Sequence, residues 1–185
     1  MTRKQSWLVA GVMLAVSLLT VLLFSLPVQA APVSSQVYRI GQQEYDSVLY
    51  PQVLDTAAST YDETLTRFTF SHVPSGNPAD YREVRVVFSC RKFTPVPFRT
   101  LSLSLPRVPA QYADNVLACL HTSLYGEPAA PGQLSLSLLL YVPGMDDAQI
   151  ASLVETLTFD LAWGFAQGID GHVFSSVAAD SMEFV

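Results

Sequence analysis

Basic side chains run out well before the end of this chain. After Arg107 there is no lysine or arginine, while Asp114, Glu127, Asp146, Asp147, Glu155, Asp160, Asp170, Asp180 and Glu183 follow. The first thirty residues hold two of the ten basic groups and none of the sixteen acids, so the remainder carries eight against sixteen, a net charge of −8. That balance argues against nucleic acid and against an anionic membrane surface as partners. Within one small domain the asymmetry is met by a basic hairpin (Arg82, Arg85, Arg91, Lys92, Arg99, Arg107) lying beside acidic elements. An acidic face for a basic partner is the sharper alternative.

Cysteine is nearly absent too. Cys90 and Cys119 stand alone, at a spacing that fits no metal or haem motif. An even count in an oxidising compartment predicts that the two are joined. Such a bridge would close a loop of about thirty residues, worth ~3–4 kcal/mol on the chain-entropy view.

The usual carriers of chemistry are missing as well. There is no Gly-x-Ser-x-Gly turn, no glycine-rich phosphate loop and no calcium loop. Ser123 lies two residues after His121, a spacing that separates side chains on a helix. His72, His121 and His172 are isolated, with no pair at ligand spacing. Asp146-Asp147 reads as a helix start rather than a catalytic carboxylate pair. No catalytic residue, metal site or cofactor is assigned on these grounds.

What the sequence does have begins at its first residues. Arg3 and Lys4 precede an uncharged apolar run from Trp7 to Phe24, then Pro27 and the small-x-small site Val28-Gln29-Ala30. This is the layout of a secretory signal over residues 1–30, cut after Ala30, and it places the protein outside the cytoplasm. An eighteen-residue apolar run also approaches the length of a membrane span, so an uncleaved anchor is the alternative. Neither a twin-arginine pair nor a lipidation cysteine accompanies it. Residues 31–185 are enough for one domain with a real core, with no membrane contact expected after cleavage.

Periodicity then sketches the domain. Residues 37–40 suggest a short strand, and residues 42–59 a helix broken by Pro51. Alternation over residues 66–73 and 84–91, around Pro74-Ser75-Gly76-Asn77-Pro78, predicts an antiparallel hairpin. Leu101, Leu103 and Leu105 mark a third strand, and Leu134–Val142 another. Ala113, Val116, Leu117, Leu120 and Leu124 share a helical arc that stops at Gly126. Asp146 and Gln149 form a capping box, with Met145 and Ile150 as a hydrophobic staple. The helix they open has the core stripe Ile150, Leu153, Val154, Leu157, Leu161 and Phe165, and a last strand follows at residues 172–177. The predicted fold is α+β: a mostly antiparallel sheet with two or three helices packed on one face.

On that helix Phe159 and Trp163 fall roughly 160° and 120° from Leu157, at ~100° per residue. An aromatic pair opposite the core stripe asks for a neighbouring element, a second subunit or a partner to cover it. Phe159 and Trp163 are therefore the predicted partner-binding residues.

From Val84 onward the residues resemble a bacterial group. Val86-Val87-Phe88-Ser89-Cys90, then Leu101-Ser102-Leu103-Ser104-Leu105, and Gly144-Met145-Asp146-Asp147-Ala148-Gln149-Ile150 are similar to YbjN-like proteins and, through them, to type III secretion chaperones. The resemblance spans residues 84–165 and implies an α+β domain that dimerises and binds protein segments without catalysis. The chain departs from it in lacking a second nearby cysteine and a Trp-Asn pair, and in being exported. The sequence therefore reads as an exported, periplasmic or secreted, non-enzymatic binding protein that recognises a protein partner or itself. A small extracytoplasmic hydrolase and an acidic inhibitor or immunity protein are the alternatives.

Overall fold

In the computed structural model the structure describes residues 3–25, 29–54, 65–67, 75–91, 99–120, 133–165 and 171–185. Strands dominate, and nearly all pair antiparallel, around a few short helical segments, which makes the domain α+β. His72, His121, Ser123, most of the 66–73 run and the expected Leu124–Gly126 helix end lie outside the described residues.

The helix α1 (Arg3–Ser25) stands apart, with every side chain from Gln5 to Val21 exposed. The strand β1 (Gln29–Arg39) follows, longer than the short strand expected. Next come the brief α2 (Gln42–Glu44) and a wider π winding over Tyr45–Leu54 that contains Pro51, whose ring does not fit α spacing.

One sheet has six strands: β2 (Leu65–Arg67), β3 (Tyr81–Arg91), β5 (Val116–Leu120), β6 (Gln133–Tyr141) and β9 (Met182–Phe184) join β1 in the order β2-β5-β6-β3-β1-β9. The other has three, β4 (Arg99–Leu103), β7 (Phe159–Phe165) and β8 (Gly171–Ser175), in the order β4-β7-β8. Among the described residues only β1 and β9 run parallel, and the other pairings are antiparallel. Strand β3 is flanked by β1 and β6, and Leu65–Arg67 pairs with β5; residues 68–73 of the expected hairpin lie outside the described residues.

Register sorts the side chains of the large sheet into two faces. Val84 opposes Val37 and Leu138, and Val86 opposes Leu136. These residues pack with Ile150, Leu153 and Val154 of α3 (Asp147–Glu155) and with Leu103, Phe159 and Leu161 of the small sheet. On the opposite face Tyr81, Leu117, Ala118 and Leu139 lie under Ile40, Tyr45 and Leu49. The one-sided layering of helices therefore holds for α3, while the 42–54 segment covers the other face.

Two expected helices are corrected. Residues 116–120 form β5, a continuous apolar run whose length and periodicity suit a buried strand as well as a helix. A bulge between Val116 and Ala118 puts Leu117 and Ala118 on one face, with Val116 and Cys119 on the other. The second helix, expected to run on to Phe165, stops at Glu155; its start is as predicted. Asp146 Oδ1 accepts from the Gln149 backbone N–H at 2.8 Å, and Gln149 Oε1 accepts from the Asp146 N–H at 3.0 Å. Pro143 and Gly144 (φ 70°) form the tight turn before it, closed by the Met145 N–H on the Val142 carbonyl at 3.2 Å.

Candidate functional site

Phe159 and Trp163 lie on β7, not on a helix, and this removes the geometry that put them opposite a core stripe. In a strand they share one face with Leu161, and that face is the core. Phe159 is fully buried, 5.1 Å from the Phe88 ring centroid. Trp163 is half-buried, paired across the strands with Gly171, and its indole edge lies where a Cβ on Gly171 would be. Phe159 is thus interior packing, while Trp163 packs against the edge of the same core from a half-buried position.

Cys90 and Cys119 are both buried and free. Cys119 is level with Leu138 and through it with Val84, six residues from Cys90 along β3. At ~3.3 Å per residue this puts the two roughly 20 Å apart, far beyond the reach of a disulfide. The predicted bridge is not formed. Burial pushes the Cys119 thiol up to about 12 and raises Cys90 as well, so neither is a ready nucleophile.

Two polar groupings that sequence reasoning missed sit elsewhere. Glu83, Arg85 and Ser137 are buried on one face of β3 and β6, with Arg85 directly opposite Ser137. In the small sheet His172 Nδ1 and Asp160 Oδ1 are 2.9 Å apart, a pairing of the kind that orients a catalytic imidazole. Among the described residues no serine or cysteine is hydrogen-bonded to this pair. Ser102 shares that face, but Ala162 stands between it and His172, and no hydrogen bond joins them. Among the described residues no group of three His, Cys, Asp or Glu could hold a metal ion.

The grouping that does form a concavity lies where β1 ends and β3 begins. Asn77 Oδ1 accepts from the Ala79 N–H at 3.2 Å and starts a 3-10 turn over Pro78–Asp80. That turn presents the Ala79 carbonyl, which with the Tyr81 carbonyl holds Arg82 Nη1 at 2.8 and 2.7 Å. Arg39 is directly opposite Arg82 in the register. Like charges in that relation repel. Burial first, and then the Arg39 charge, lower the Arg82 pKa, with Asp147 and Asp80 acting the other way.

Val37, Phe184 and Val185 wall the same cleft, and Asp147, in the first turn of α3, lines it too. The Val185 N–H donates to the Val37 carbonyl at 3.0 Å, which fixes β9 as one rim. The cleft holds about 340 Å³. Among the described residues no carboxylate lies within ion-pair distance of either guanidinium. Two facing cations with unused N–H donors can bind a carboxylate or a phosphate.

Fold and site together define an α+β domain with an arginine-lined cleft. Comparison with protein families, with curated proteins and with solved structures found no match to this chain.

Proposed function

We propose that this chain is an exported, non-enzymatic binding protein whose ligand-binding element is the Arg39–Arg82 cleft and whose ligand carries an anionic group. The observation that carries this reading is the in-register arginine pair, with no carboxylate of the described residues in contact. Placing two cations opposite each other is unfavourable for the free protein, and a bound anion relieves that repulsion. A volume of about 340 Å³ lies near the lower end of the range that accepts small molecules, about 300–1,000 Å³. The earlier reading of a protein-contact surface rested on Phe159 and Trp163, and both turn toward the core. The implied kinship with YbjN-like binding domains agrees with a role without catalysis.

Calorimetric titration of the full chain with inorganic phosphate and with 4-methylpentanoate tests the proposal. At least one should bind with an affinity that falls as salt rises. Arg39→Gln, at an exposed position, should weaken that binding about tenfold or more, the scale of a lost charge-assisted hydrogen bond. Anion binding that is unchanged in Arg39→Gln would place the site elsewhere.

A further inference from the structure

The cleft is not purely cationic: among its described lining residues Asp147 is an acidic side chain, placed to select a ligand. Asp147 lines it from α3, across from the arginines of β1 and β3. Its charge is felt at Arg82, yet the two groups are not in ion-pair contact. Nor is the carboxylate used by the helix cap: Asp146 performs that role, with Gln149. A carboxylate that shares a cleft with two cations but touches neither leaves space between opposite charges. A bound molecule with its own charges reversed in order would fill that space.

Resting on the anion-binding reading above, we infer that the ligand is a zwitterion, a free α-amino acid with an apolar side chain. Its carboxylate would meet Arg39 and Arg82, and its ammonium would meet Asp147. Its side chain would lie against Val37, Phe184 and Val185, the apolar wall of the same cleft. Each part of such a molecule then has a partner of matching chemistry. A simple anion would leave Asp147 facing it with like charge, and an amine without a carboxylate would meet two arginines.

Three ligands of one carbon skeleton separate these cases: L-leucine, 4-methylpentanoate, which lacks the amine, and 3-methylbutylamine, which lacks the carboxylate. Titrated into the full chain by calorimetry, leucine should bind about tenfold tighter than 4-methylpentanoate, the worth of one charged hydrogen-bonded contact. The amine should not bind. Asp147→Asn should bring leucine and 4-methylpentanoate to equal affinity, with circular dichroism confirming that the variant is folded. Equal affinities in the unmutated chain would overturn the zwitterion inference and leave the anion-binding reading standing. Phosphate binding without leucine binding would have the same meaning. If none of these ligands nor phosphate binds, both readings fall. The three-ligand comparison needs no variant, so a misfolded Asp147→Asn would not rescue the idea.

Discussion

The indole of Trp163 occupies the place where any side chain at position 171 would begin. A Cβ built on Gly171 would stand 2.4 Å from Trp163 Cζ2, closer than atoms can approach. Glycine is therefore needed in β8 for close packing, since its backbone is not strained there. Gly171→Ala should destabilise the domain by about 1–3 kcal/mol, the usual cost of overpacking. Chemical denaturation measures it, and adding Trp163→Leu should recover part of the loss. At Cys119 the prediction concerns pH. Burial pushes the thiol from its ordinary value of 9.0 up to about 12 in the folded chain. Below pH 9 both states are protonated, and the stabilising contribution is fully present. From 9 toward 12 the unfolded chain releases a proton that the folded chain keeps, so stability falls with rising pH, by up to ~1.4 kcal/mol per unit. Tyr81 and Tyr45, also raised by burial, add to the slope. A Cys119→Ala variant should therefore show a shallower alkaline decline than the parent, measured as denaturation midpoint against pH. In the native protein both thiols should react slowly with an alkylating reagent.

Among the elements, α3 offers the sharpest test. Replacing Asp146 by Ala removes the acceptor of the Gln149 N–H and should cost about 1 kcal/mol. An unchanged midpoint in urea would mean that the helix does not depend on its cap. This start was readable because capping chemistry is local, written within four residues. The end of the same helix was not, because Leu157, Leu161 and Phe165 are four apart and satisfy a helical stripe. The competing signal was present: Phe159, Leu161, Trp163 and Phe165 alternate with Asp160, Ala162 and Gly164, large against small, with a period of two. Thr156 decides the matter in the folded chain, its Oγ1 donating to the Leu153 carbonyl at 2.6 Å where the helix ends. For β5 no local signal could decide. Five successive apolar residues suit either conformation, and pairing with β6, reinforced by Asn115 Nδ2 on the Tyr141 carbonyl at 2.9 Å, selects the strand. Strand β3 was legible from Val84 and β6 over its first half, Leu134 to Leu138, where alternation has no helical competitor.

At the scale of the whole molecule the cleft was invisible in the sequence for a different reason. Arg39, Arg82, Asp147 and Phe184 come from four elements, and only long-range register brings them together. Periodicity says which face a residue takes, not which distant residue stands opposite. Helix α1 adds none of its described side chains to either core. Deleting residues 1–30 breaks only two register pairs, Gln29 with Arg91 and Ala30 with Cys90. The shortened chain should thus keep its thermal midpoint within a few degrees; a large fall would assign α1 a packing role. The parallel pairing of β9 with β1 also sets an order of events. Gln36 Nε2 donates to Glu183 Oε2 at 3.0 Å across 147 residues of sequence. A chain synthesised from its amino end shows β1 well before its β9 partner. At about 5–20 residues per second, 147 residues take roughly 7–30 s. Throughout that interval β1 lacks the neighbour that pairs with Ser35, Gln36 and Val37. The cleft gains its Phe184 wall only when β9 docks on β1, so a chain without β9 keeps the two arginines but loses one side of the concavity around them.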